Sequence, residues 1–443
     1  MKKTFKLFLI LGLILNIFLL TSCVEIVYIP ELKFTLNYGG KNYSVEATEK
    51  FDNEELVIPD KYNGMPVTII KESAFENCQK LKKVTIPDSI ISIGARAFKD
   101  CENLQEVKMS NNVEQLSDGV FENCEKLTKI NIPDGIKVLS DTAFYDCSNL
   151  SYNQYDNGYY LGNENNPYII LGKAVSTDIT SINIYNNTKM ILPFAFEDCT
   201  KLTKVSIPET VLSFGRCTFR NCQSLTEVNI PKNITNLPYF LFENCDSLTS
   251  IIIPEAVLYM PYAFNSCDNL KEVIFEGDSK LYEIDNTFED CKSLKSIQIP
   301  SSVVNIKKYA FEHCESLESV TFKENSRLTS IGEMAFENCV SLKNIEIPSS
   351  VISIEEYSFY NCQSLEAVTF QENSKLTTIK EGAFQDCKNL KTIIIPISVV
   401  NMGHKVFEEF LQMTINCEAE KRPDNWEISW STGNNVNWGY KAE

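Results

Sequence analysis

A β-rich solenoid of short stacked repeats, capped at both ends, is the fold this 443-residue sequence predicts, on three observations. Thirteen of the sixteen cysteines share one period of mostly 23 residues: Cys78, Cys101, Cys124, Cys147, Cys199, Cys222, Cys245, Cys267, Cys291, Cys314, Cys339, Cys362 and Cys387. A phenylalanine stands three residues before each, from Phe75 to Phe384, and a leucine three residues after, from Leu81 to Leu390. A Leu-x-x-Val/Ile-x-Ile-Pro stretch then follows, as in Leu81, Val84, Ile86, Pro87 and again in Leu342, Ile345, Ile347, Pro348. Such a period marks units that bury their apolar faces only by stacking on their neighbours.

In chain order, residues 1–22 read as an export signal: Lys2, Lys3 and Lys6 precede an apolar run from Leu7 to Leu20 that is short for a membrane span. Leu20-Thr21-Ser22-Cys23 resembles the bacterial lipobox, which implies acylation of Cys23 and a lipid-anchored, exported chain. Residues 23–65 form the anchor and N-terminal cap, in which Phe34, Leu36, Tyr43 and Val45 alternate around Gly39-Gly40 as in a hairpin. Residues 66–150 and 194–413 carry the repeats. In each, the alternation at positions such as Val84 and Ile86 predicts a short strand, and Pro87 ends it because proline cannot donate to a ladder. Two-residue gains after Phe322 and Phe370 read as loop insertions on one edge.

Between the arrays, residues 151–193 form a tyrosine-rich insert in a gap of 52 residues between Cys147 and Cys199. A degenerate copy with Phe407, Phe410 and Met413 in register leads into residues 414–443, which hold all three tryptophans and read as the C-terminal cap.

About 13–14 repeats of roughly 23 residues fall in the range of a leucine-rich repeat solenoid. The motif Ala-Phe-x-Asn/Asp-Cys-x-x-Leu-x-x-Val-x-Ile-Pro resembles the BspA-type bacterial surface leucine-rich repeat family. That resemblance implies a right-handed solenoid, surface display without catalysis, and in some members adhesion to host proteins or other cells.

Composition narrows the chemistry. A net charge of −18 disfavours nucleic acid and anionic lipid, leaving the lipid anchor as the expected contact with membrane. His313 and His404 are the only histidines, so triads and His-ligated zinc lack their usual residue. The sequence contains no Cys-x-x-Cys pair, phosphate loop or Gly-x-Ser-x-Gly elbow, and the expectation is a monomer with no catalytic residues, no metal and no cofactor. The ladder cysteines read as buried free thiols, which leaves Cys217 and Cys417 as the accessible ones. The Asn or Asp before most ladder cysteines suits tight turns better than a calcium column.

Two candidate binding surfaces remain. Residues between the two core positions of each strand face outward and are mostly polar, with Ile252 and Ile274 as apolar exceptions in adjacent repeats. The second is the insert, through Tyr155, Tyr159, Tyr160 and Tyr168, although its alternation also suits extra strands. The preferred function is binding of a surface protein or glycan ligand, that is, adhesion at the cell surface or envelope. A passive envelope spacer ranks second and a carbohydrate-active hydrolase third.

Overall fold

The computed structural model describes residues 31–408 and 413–441. It forms two compact units, one holding the chain up to Ser151 together with Gly162–Asn165, the other Tyr152–Leu161 and everything from Asn166 onward. The export segment, Cys23 and Phe410 lie outside the described residues. No helix occurs among the described residues, and every regular element is a strand.

Each repeat contributes two short strands. In the first unit Glu55–Val57, Lys83–Thr85, Glu106–Lys108 and Lys129–Ile130 pair in parallel, equivalent position against equivalent position, as with Val84 opposite Val107. Ser92–Ile93 pairs with Met65–Ile70, and Val138–Leu139 with Gln115–Leu116, in a second column of shorter strands. The first coil therefore begins near residue 55, earlier than the expected 66, because Leu56 and Ile58 already occupy the buried strand positions.

The second unit repeats this plan. Its longest sheet runs from Ser296–Ile299 to Asn435–Trp438, and its short-strand column from Glu283–Ile284 to Asn401–Met402. The tyrosine-rich insert is an antiparallel meander of Asn153–Tyr155, Gly158–Leu161 and Ile170–Ala174. Its last strand pairs in parallel with Met190–Ile191, so the insert extends the sheet.

The side chains explain why the coils stack. Phenylalanine rings lie nearly parallel on one another, with centroids 5.3–5.8 Å apart from Phe75 to Phe144 and 5.1–5.7 Å apart from Phe196 to Phe407. Stacked rings at this spacing add about 0.5–1.5 kcal/mol per pair to the burial itself. The cysteines have a matching role. From Cys101 to Cys387, eleven thiols each donate to the carbonyl of the phenylalanine one repeat earlier, at 3.0–3.2 Å. A small apolar side chain with one weak donor suits a site needing both tight packing and a partner for a turn carbonyl.

Further elements lie at both ends of the described residues. Leu32–Leu36 and Tyr43–Ala47 form the expected hairpin, turning through Gly39 and Gly40 at positive φ, and Tyr43–Ala47 pairs with Met65–Ile70. At the other end Trp426 and Trp430 are buried, with Trp430 edge-on to Phe407 at 6.0 Å.

Candidate binding surface

The residue before most ladder cysteines has a left-handed backbone, with φ of 59° at Asn77, 57° at Asp100 and 56° at Asn361. Asn and Asp tolerate this region better than other side chains, which accounts for their recurrence. Their amides then bridge repeats, as Asn123 Nδ2 donates to Asp100 Oδ1 at 2.6 Å and Asn361 to Asn338 at 2.7 Å. Turn chemistry thus occupies the column, and no cluster of three or more His, Cys, Asp or Glu among the described residues is arranged to hold a metal ion.

Most of the ladder thiols are buried as expected, and three thiols depart from expectation. Burial pushes Cys147 and Cys267 up to about 12 and Cys245 far above its ordinary range. Cys217 and Cys417, expected to be accessible, are buried as well. Cys417 faces inward on Thr414–Cys417, opposite Ile395, and Cys217 lies among Arg220, Glu197 and Glu243. Among the described residues the least buried thiol is Cys78, half-buried at the start of the ladder.

Ile252 and Ile274 do face solvent, 51% and 43% exposed, and lie directly opposite each other on Ser250–Ile253 and Glu272–Phe275. Ile252 borders a depression of about 460 Å³ whose lining includes Lys204, Glu227, Asn229, Lys232 and Glu276. The insert separates its tyrosines. Tyr155 is exposed, Tyr159 and Tyr168 are half-buried, and Tyr160 is fully buried, with its hydroxyl accepting from the Tyr185 amide at 3.4 Å. Tyr160 is therefore a core residue, removed from the candidate surface because strand alternation turns it inward; burial raises its pKa to about 12.

One feature escapes a reading of inward and outward strand positions. Five residues before most of the ladder cysteines a second left-handed residue recurs. Gly119, Asn286 and Gly382 fill that slot in some repeats, whereas Phe194, Phe240, Tyr262, Tyr309, Met334 and Tyr357 fill it in others, with φ between 53° and 61°. A side chain with a Cβ there costs roughly 1–2 kcal/mol, so bulky residues are the costly choice. The sequence does carry the signal once the repeats are aligned on their cysteines, as large side chains at a turn position that elsewhere holds glycine.

Next to this column runs a row of part-buried carboxylates. Burial raises Glu243, Glu289 and Glu337, and burial together with the neighbouring charge of Glu337 brings Glu312 to about 7. Burial, and after it the neighbouring charges of Asp285 and Glu289, raise the pKa of Tyr262.

The stacked parallel coils, with one leucine, one phenylalanine and two short strands in most turns, define a leucine-rich repeat solenoid. More particularly, the chain belongs to the BspA type leucine rich repeat region family, whose sequence profile matches in six copies over residues 54–164, 174–286 and 283–414. Among solved structures it is similar to a leucine-rich repeat protein from Bacteroides ovatus, at 23% identity over 84% of this chain and 94% of that one, with a TM-score of 0.31. A leucine rich cell surface protein from Faecalibacterium prausnitzii gives 23% identity over 79% and 96% of the two chains, with a TM-score of 0.34. The leucine rich repeat protein of T. pallidum gives 23% identity over 55% and 90%, with a TM-score of 0.27. The comparison with curated proteins gave no match.

Proposed function

We propose that this chain is an exported, lipid-anchored binding protein of the cell surface, engaging a protein or glycan ligand through the strand face around Ile252 and Ile274. The observation that carries the reading is the pair itself: two β-branched apolar side chains, in register and half-exposed, on a face whose other outward positions are mostly polar. The bordering depression offers polar groups of both charges to orient a ligand. Family membership supports a scaffold that binds, with catalysis outside its role. The anchor would be Cys23, and the chain would act as a monomer.

Purified full-length protein, screened against cell-surface proteins and a glycan panel, tests the reading. The double variant I252D/I274D should keep its melting midpoint and lose affinity for the captured ligand by about tenfold or more, as expected for the centre of an apolar contact. Unaltered capture would clear this face, absence of any ligand would favour a passive spacer, and hydrolysis of a glycan or peptide would overturn the non-catalytic reading. C23A should move the protein from the membrane fraction to the soluble one.

A further inference from the structure

A depression of about 350 Å³ opens at the side of the second unit, walled by Tyr239 and Tyr259 with Pro238 and Pro261, and lined by Glu283 and Asp285. Both tyrosines are exposed, at 53% and 42%. Tyr239 also packs within 5.8 Å of Tyr262, which lies 5.0 Å from Phe240, so the wall continues into the left-handed ring column. One cation serves the two carboxylates: Lys307 Nζ sits 2.9 Å from Glu283 and 3.6 Å from Asp285, leaving the site net negative.

Elsewhere in the same column the chain supplies its own cations. Lys308 lies 4.4 Å from the ring centroid of Tyr309, and Arg216 and Arg220 lie 5.3 and 5.8 Å from that of Phe194. Phe240 and Tyr262, in the same slot between these repeats, have no cation over them among the described residues, nor do Tyr239 and Tyr259. The wall thus presents aromatic rings with no cation of the described residues over them beside surplus negative charge, the combination that a planar guanidinium satisfies by stacking on a ring while bonding a carboxylate in-plane. Phe240 and Tyr262 keep their rings in a backbone slot that other repeats give to glycine or asparagine, as at Gly382 and Asn286.

We infer that this cleft is a docking site for a basic segment of a partner protein, with an arginine side chain inserted between Tyr239 and Tyr259 toward Asp285 and Glu283. The inference rests on the binding reading above for its premise that the chain has a ligand, and it concerns a different edge of the repeat.

The test is a titration of the full-length protein with a fluorescent Gly-Arg repeat peptide, alongside Gly-Lys and Gly-Glu repeat peptides of equal length. The arginine probe should bind best, and Y239A/Y259A should weaken it by about tenfold or more, the scale of a desolvated cation–π contact. Y239F/Y259F should retain binding and D285N should lose it, which keeps the test decisive if the alanine pair perturbs folding. Y155A and I252D/I274D should leave the probe unaffected, so loss of the strand-face ligand and loss of this site are read separately. Equal binding of the lysine and arginine probes, unchanged by Y239A/Y259A, would overturn the proposal in favour of bulk charge attraction. Glycan binding that depends on Tyr239 and Tyr259, without arginine binding, would overturn it in favour of a sugar site.

Discussion

Three residues before each ladder cysteine stands a phenylalanine without exception, whereas the slot two residues earlier holds Ser73, Arg96, Gly119, Phe194, Cys217, Tyr262, Asn286 or Met334. Both columns recur once per coil, yet they obey different constraints. The inner one is enclosed by rings above and below at 5.1–5.8 Å, so any other shape opens a void or forces a clash. The outer one is fixed only in backbone, its φ staying between 48° and 61° in every repeat but that of Thr142. Uniformity in the first reports packing. Variety in the second is what a slot fixed only in backbone allows, and the bulky rings held there at a conformational cost are the feature on which the proposed docking site rests.

The sharpest way to break the comparison is inside. F311A should destabilise the array by about 3–5 kcal/mol, since it removes a fully buried ring and both of its stacking partners, and denaturant unfolding would measure it. C245S should cost about 1–3 kcal/mol: the hydroxyl can still donate to the Phe219 carbonyl, but it loses the apolar fit of sulfur in a fully buried site. In the same ladder a thiol reagent under native conditions should mark Cys78 first, and mass spectrometry finding Cys217 or Cys417 labelled at equal rate would contradict their burial.

Electrostatics gives a smaller effect with a definite sign. Glu312 is raised from about 4.5 to about 7 by burial and by Glu337, so the folded state holds its proton longer than the unfolded one. Its contribution is then fully present below about 4.5 and is lost as pH rises toward 7, and the melting midpoint should fall across that window. E312Q should flatten the slope. The smallest change belongs to the outer column: F240N exchanges lost ring contacts for relief of backbone strain, and stability should move by about 1 kcal/mol or less. A drop as large as that of F311A would erase the distinction between the two columns.

How much of this was legible in the sequence follows the same division. The Phe–Cys–Leu register and the proline-terminated strands are legible because a repeated constraint leaves a repeated letter. Strand meanders need no period, and so the sequence alone does not separate Tyr160 from Tyr155, Tyr159 and Tyr168, although alternation turns it into the core. Cys217 stands off the ladder, which suggests the surface, but it occupies the left-handed slot and is buried there. The Tyr239–Tyr259 cleft is assembled from adjacent coils, and only the three-dimensional stacking brings its walls together.

The thiol-to-carbonyl bonds that tie each coil to the preceding one span 25 to 28 residues along the chain, at Cys101 as at Cys387. The search that forms a contact therefore never has to close a loop much longer than one coil, however many coils the chain contains. Loop-closure entropy grows only with the logarithm of that length, so the entropic barrier to adding one more coil is the same at every point along an array. Length becomes a variable that duplication or deletion of a coil can adjust without redesigning the core, and the reach of the binding faces can change while their chemistry stays as it is.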